Sequence, residues 1–184
     1  MTIKEDNQHL CDNYNFKVFD LKSVKIGKGL SITISGKRNS GKTVLLRDLC
    51  YQLKDKYSEV YLFSNTASYQ PLVFDFIKKE NIFIGLNVAK IQELWNAQGT
   101  MTEKLLKKNP NPDHEKVDKI LILFDDIVGD PKIRTSDELA QLFTRGRHVY
   151  ISQIFLTQSV VGIPPIMRRN VDLAIAFYLE KCYC

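Results

Sequence analysis

Gly36-Lys37-Arg38-Asn39-Ser40-Gly41-Lys42-Thr43 decides how the chain is read. Residues 30–35 before it, Leu-Ser-Ile-Thr-Ile-Ser, are rich in β-branched side chains and read as a strand. Residues 44–53 behind it carry their apolar side chains on one helical face. The octapeptide is therefore G-x-x-x-x-G-K-T between a strand and a helix, the setting in which such a loop binds phosphate. Its glycines let the backbone curl until successive N–H groups converge on phosphate oxygens. The positive end of the following helix adds to that field. Lys42 is placed to reach the β- and γ-phosphates of a nucleotide, and the Thr43 hydroxyl to ligate Mg2+. ATP and Mg2+ are thus the expected ligands, with Gly36, Lys37, Arg38, Asn39, Ser40, Gly41, Lys42 and Thr43 as the binding loop. Arg38 is the ambiguous member: it can touch phosphate, a neighbouring subunit or only solvent.

Outward from the loop, strand and helix patterns alternate. Residues 16–21 alternate apolar and polar, as a half-buried strand does. Glu59–Ser64 reads as a second strand and residues 70–79 as a helix. Ile82–Ile84 reads as a short extended piece. Residues 89–108 have helical spacing, which Gly99 is expected to break. Asn109-Pro110-Asn111-Pro112-Asp113 is a turn-rich break. Residues 119–124 form an apolar strand pattern, residues 136–145 a helix with Ser136 as N-cap, and residues 149–157 another strand. A Pro164-Pro165 turn and a short helix follow, then a last strand over residues 172–179. Continuous apolar strands separated by helices call for a mainly parallel sheet covered on both faces, a three-layer α/β fold. Residues 1–15 read as a polar N-terminal segment and 16–184 as one nucleotide-binding domain, open to truncation after Cys184.

Ile120-Leu121-Ile122-Leu123-Phe124-Asp125-Asp126 is an apolar strand tipped by two carboxylates. Open α/β sheets bind ligands at the carboxyl ends of their strands, so both acids are expected beside the phosphate loop. Asp125 is then the residue that holds Mg2+, through water. Asp126 is the residue that orients or deprotonates a water attacking the γ-phosphate. Asp126-Ile127-Val128-Gly129 also fits D-x-x-G, a phosphate-sensing turn of GTPases. A guanine-reading N-K-x-D is absent, since Asn170-Val171-Asp172 lacks the lysine, which disfavours GTP.

The strand pattern over residues 149–157 ends in Thr157-Gln158, an amide placed to sense γ-phosphate or position the attacking water. Arg145 and Arg147 precede that strand, at the end away from the nucleotide. That position is wrong for their own γ-phosphate and right for a neighbour's. His148 reads as a structural or interface residue.

Composition sets outer limits. The chain has 184 residues, and its 44% hydrophobic and 26% charged residues are globular values. A chain of this size can bury roughly 70% of its unfolded surface, so neither disulfides nor a structural metal is required. With 9 Gly, 6 Pro and no repeat period, collagen-like and low-complexity classes are excluded. The net charge of +5 permits contact with nucleic acid without demanding it. Cysteines at 11, 50, 182 and 184 give neither zinc spacing nor a secreted framework. The N-terminus is too polar for a signal peptide, and the longest apolar runs fall far short of a membrane span. A soluble, intracellular protein with reduced thiols is expected.

Three stretches together carry a resemblance: Gly36 to Thr43, Ile120 to Asp126, and Arg145-Gly146-Arg147-His148 with Leu156-Thr157-Gln158. They resemble the FtsK/HerA superfamily of pumping ATPases, above all the poxvirus-type genome-packaging ATPases of nucleocytoplasmic large DNA viruses. The likeness covers about residues 25–180, and the third stretch is the discriminating one. It implies a P-loop NTPase of the RecA-like ASCE division, with Gln158 as polar sensor and Arg147 as a trans-acting arginine finger. It implies a homo-oligomeric ring, pentamer or hexamer, that hydrolyses ATP to translocate double-stranded DNA into a capsid. A capsid or portal component as partner, no membrane, and a place in the host-cell cytoplasm (the virus factory) or the virion follow from it. The chain departs from the superfamily at Asp126, where many members have Glu. Lys104, Lys107, Lys108, Lys116 and Lys119 form a basic stretch that either faces DNA in a pore or lines a solvated helix. A phosphate-loop small-molecule kinase, with a lid drawn from Arg134, Arg145, Arg147, Arg168 and Arg169, is the alternative. A slowly hydrolysing nucleotide switch is the third class.

Overall fold

The computed structural model describes residues 25–69, 72–127 and 129–177. The strand expected over residues 16–21 and the polar segment 1–15 lie outside them. Among the described residues six strands form one sheet, all parallel: β1 (Ser31–Ser35), β2 (Glu59–Ser64), β3 (Ile82–Ile84), β4 (Ile120–Asp125), β5 (Ile151–Thr157) and β6 (Leu173–Ala176). Their order is β3-β2-β4-β5-β1-β6. The helices are α1 (Lys42–Leu53), α2 (Val88–Lys108), α3 (Lys132–Thr135), α4 (Asp137–Arg145) and α5 (Pro165–Arg168).

Two apolar cores among the described residues explain why β4 carries no polar face. Leu121 and Leu123 of β4 join Ile32, Ile34, Ile154 and Leu156 in a core that α1 covers with Leu46, Leu49 and Leu53. The alternate residues Ile120, Ile122 and Phe124 join a second core under α2 and α4, with Ile91, Leu94, Leu139 and Leu142. In that second core Phe124 packs its ring 5.6 Å from those of both Phe63 and Phe155. Period-two alternation between two buried faces yields the unbroken apolar run seen in the sequence.

Several expectations require correction. Gly99 does not break α2, which runs unbroken through it. A mid-helix glycine costs about 1 kcal/mol relative to alanine. Here the cost is offset by burial of Ile91 and Leu94 and by Asn87, whose Oδ1 accepts from the Lys90 N–H at 3.0 Å. The helix expected over residues 70–79 is absent from its described part, residues 72–79, which make turns leading into a short 3-10 turn at Lys79–Asn81. Phe74 and Ile77, three apart, mimic helical spacing but are anchor points of a loop pinned by the Arg47–Asp75 ion pair at 3.2 Å. The strand expected to start at 149 starts at Ile151, because Gly146–Val149 is a 3-10 turn closed by Tyr150 in the left-handed region. Ser136 caps α4 as expected, its Oγ accepting from the Leu139 N–H at 3.2 Å.

Among the described residues no helix is long and apolar enough to cross a membrane. Cys50 is buried against α1's core, which pushes its thiol up to about 12 and leaves it unreactive.

Candidate nucleotide site

At the carboxyl edge of the sheet the segment after β1 curls back and opens α1. Gly36 donates its N–H to the Thr157 carbonyl at 3.2 Å, which ties the loop to the neighbouring strand β5. Gly41 stands at φ +92° at the N-cap of α1, a conformation that L side chains rarely adopt. Among the described residues no side chain caps this helix, so its first N–H groups are left for a ligand. Lys42 folds back over the loop, its Nζ donating to the carbonyls of Gly36 (2.6 Å) and Lys37. Burial lowers the Lys42 pKa from its ordinary value, and the Asp125 and Asp126 charges offset part of that shift.

The acidic strand is not β1's neighbour. β5 lies between them, so the acids stand two strand spacings, roughly 10 Å, from β1. That gap is the width of a cleft of about 460 Å³ lined by residues 38–44, Thr66, Asp125, Asp126 and residues 156–158. The half-buried Asp125 accepts hydrogen bonds at Oδ2 from Ser64 Oγ (3.1 Å) and Thr66 Oγ1 (3.2 Å). Burial raises its pKa and those two hydroxyls oppose the rise. Asp126 is exposed on the cleft wall at φ +52°. Its carbonyl accepts from Asn65 Nδ2 at 2.8 Å. Gln158 lies exposed at the cleft between β5 and the phosphate loop.

Of the expected site residues, Arg38, Asn39, Ser40, Gly41, Lys42, Thr43, Asp125, Asp126 and Gln158 line this one cleft, with Gly36 and Lys37 forming the near end of its loop. Arg147 does not join them. It sits in the turn before β5, at the opposite edge of the sheet. Ser64, Asn65 and Thr66 went unread in the sequence. The available signal was a polar Ser-Asn-Thr run straight after the apolar β2, the same strand-end pattern as Asp125-Asp126.

The residues fit a nucleotide with its metal. Ser40 Oγ is buried without a hydrogen-bond partner among the described residues, and a phosphate oxygen in the loop would satisfy it. Thr43 and Asp125 are hard oxygen donors of the kind Mg2+ takes alongside nucleotide phosphates.

Residues 17–181 match the family model described as Poxvirus A32 protein. The chain belongs to that family. The A32-family assignment agrees with individual relatives. DNA packaging protein OPG160 of Monkeypox virus is 31% identical over 150 residues, covering 81% of this chain and 48% of that protein. The same protein of Vaccinia virus (strain Copenhagen) is 30% identical, with 53% of its length covered. The chain thus spans about half the length of these curated relatives. Among solved structures, the genome packaging NTPase B204 from Sulfolobus turreted icosahedral virus 2, in complex with ATP-gammaS, superposes with TM-score 0.56 at 18% identity. That match covers 84% of this chain and 76% of that one. The fold of this A32-family chain is therefore that of P-loop ATPases.

The expected basic stretch is corrected by the structure. Lys119 is buried and donates to the carbonyls of Val117 (3.1 Å) and Glu115 (3.3 Å), so it closes a turn. Lys116 pairs with Asp113 at 3.4 Å. Lys104, Lys107 and Lys108 remain exposed at the end of α2.

Proposed function

We propose that this chain is the motor domain of an ATPase that moves double-stranded DNA, the engine that loads a viral genome into its shell. One observation carries the reading: a single cleft gathers the phosphate loop, two strand-end carboxylates and the Gln158 amide in a chain of the A32 family. Lys42 and the loop N–H groups hold the β- and γ-phosphates. Thr43 and Asp125 hold Mg2+, which when bound neutralises charge on the phosphate oxygens. Asp126 takes the proton of the attacking water, and Gln158 orients that water or reads the γ-phosphate. Arg147 completes the site of a neighbouring copy, which makes a closed homo-oligomeric ring the working form. A capsid or portal component as docking partner and the virus factory or virion as location belong to the same reading. ATPase activity measured with and without duplex DNA tests it: DNA-stimulated release of free phosphate is expected. Transfer of phosphate to a small-molecule acceptor would instead make the chain a kinase.

Two expected results follow from the parts. Lys42→Ala should weaken Mg-ATP binding by roughly 10²-fold or more, since charge-assisted hydrogen bonds contribute about 1.5–3 kcal/mol each and Lys42 serves two phosphates. Titration calorimetry reads the loss, and an unchanged melting temperature shows that the fold survives. Wild-type affinity in that variant would remove the loop from the nucleotide site. DNA affinity, for its part, should depend on the phosphate backbone and not on sequence, because a packaging motor must pass every sequence. Its logarithm should fall linearly with the logarithm of salt concentration as counterions are released. A salt-insensitive affinity, or strong preference for one short sequence, would count against translocation.

A further inference from the structure

Three non-glycine residues among those described stand at positive φ: Asn39 (60°), Asp126 (52°) and Tyr150 (60°). Backbone strain of this kind persists only where the surroundings impose it, and it gathers at functional sites. Asn39 and Asp126 lie in the nucleotide cleft. Tyr150 lies at the far edge of the sheet, three residues after Arg147. Asparagine and aspartate tolerate the left-handed region, whereas a bulky aromatic there is a genuine outlier. Something at that edge fixes the backbone as firmly as the cleft does.

Tyr150 is 1% exposed. Its N–H donates to the Arg147 carbonyl (3.4 Å), and its carbonyl accepts from the Ile120 N–H (3.2 Å). Its hydroxyl is hydrogen-bonded to His114 Nδ1 at 2.9 Å. On another side the turn rests on Gly29. A Cβ there would stand 2.8 Å from the Ile151 carbonyl oxygen, 3.0 Å from Arg147 Cα and 3.3 Å from Arg147 Cβ. The contact with the Ile151 carbonyl is closer than real Cβ atoms stand and those with Arg147 are tight, so a side chain at position 29 would shift the backbone where Gly29 meets the Arg147 turn. Gly29 is itself held, its N–H donating to the Ile26 carbonyl at 3.0 Å above the buried Ile26 side chain. Arg147 thus has a fixed stem. Its side chain is exposed and makes no ion pair among the described residues.

We infer that Gly29 and Tyr150 are positioning residues for Arg147: they hold its backbone in one strained geometry so that its guanidinium enters a neighbouring copy's nucleotide cleft ready-aimed. The inference rests on the proposed trans role of Arg147. A mobile stem would add backbone freedom to the rotamer freedom the arginine loses on entering the cleft, and a rigid stem removes that backbone part of the cost in advance.

Mixed assemblies test it. The Arg147→Ala chain keeps its cleft but lacks the guanidinium, and the Lys42→Ala chain keeps the guanidinium but lacks a working cleft, so together they should regain ATPase activity. Gly29→Ala alone should bind nucleotide like wild type while kcat falls on the order of 10²-fold, the size of effect that an ångström-scale misplacement produces. The double variant Lys42→Ala/Gly29→Ala should then fail to rescue Arg147→Ala. Rescue as strong as that given by Lys42→Ala would overturn the inference and leave the trans role standing. No rescue by Lys42→Ala itself would overturn the trans role, and the inference with it. Should Gly29→Ala not fold, Tyr150→Phe takes its place in the double variant. Losing the hydroxyl that His114 holds should cut rescue several-fold at unchanged nucleotide affinity, and undiminished rescue would again overturn the inference.

Discussion

Asp126→Asn is expected to bind Mg-ATP with near-wild-type affinity and to hydrolyse it roughly 10²- to 10⁴-fold more slowly, the range that a positioned general base contributes. The substitution keeps the side chain's size and removes its negative charge, and with that its capacity to take a proton. Asp125→Asn is the informative contrast, because it alters the group expected to hold the metal and so should weaken metal-dependent binding. The two carboxylates are adjacent in sequence yet differently housed. Asp125 is half-buried and hydrogen-bonded to Ser64 and Thr66, while Asp126 is exposed on the cleft wall. In an extended strand neighbouring side chains point to opposite faces. Here the chain turns through φ +52° at Asp126, and the Asn65 amide holds its carbonyl. That turn lets both acids serve one cleft. Single-turnover kinetics with a separate nucleotide affinity measurement separates the roles. Full kcat in Asp126→Asn would move the base elsewhere, with Asp130 the next acid to examine.

The sheet was legible because its strands are short runs rich in apolar and β-branched residues between turn signals, and the inner strands β4 and β5 are buried on both faces. β2 and β3 fall at the residues their patterns named, and β4 within one residue, since an apolar run of that length between turn signals admits few other readings. Failures came where periodicity had two physical sources. Phe74 and Ile77 are spaced like one face of a helix but are two pegs of a loop pressed into the core. Gly99 carries a helix-breaking propensity that tertiary packing overrides. The start of β5 was misplaced because a left-handed tyrosine leaves no trace in a pattern of apolar residues.

The candidate site divides the same way. The phosphate loop is written in contiguous residues whose chemistry depends on their order, so it reads directly. The contribution of β2 does not. Ser64, Asn65 and Thr66 matter because β2 pairs with β4, bringing Ser64 opposite Asp125 in the register. That pairing is a fact of sheet order: the polar Ser-Asn-Thr run marks a strand end, but nothing local in the sequence places it beside Asp125. Gly29 is still less legible. Its meaning lies in a close approach to a turn more than a hundred residues away.

Arg147→Ala is expected to bind ATP like wild type and to lose roughly 10³- to 10⁵-fold in kcat, the contribution of an arginine finger. The geometry forbids the arginine from serving its own cleft. β5 separates it from Gln158, and its seven residues span roughly 23 Å at about 3.3 Å per residue. The strand is shorter than its sequence pattern implied, yet the gap still far exceeds the reach of one side chain. No small rearrangement closes it either, because Arg147 precedes a strand buried along its full length. A neighbouring copy presenting its amino edge to this carboxyl edge closes the gap at no cost to the fold. Titrating Lys42→Ala chain into Arg147→Ala chain should therefore raise activity from near zero through a maximum at intermediate ratios. On this reading only junctions that pair an intact cleft with an intact guanidinium should turn over, and their frequency is greatest in mixed assemblies. If the subunits demonstrably exchange and activity stays at zero at every ratio, Arg147 does not act in trans. Arg145, exposed at the end of α4 on the same edge, would then be put through the same titration.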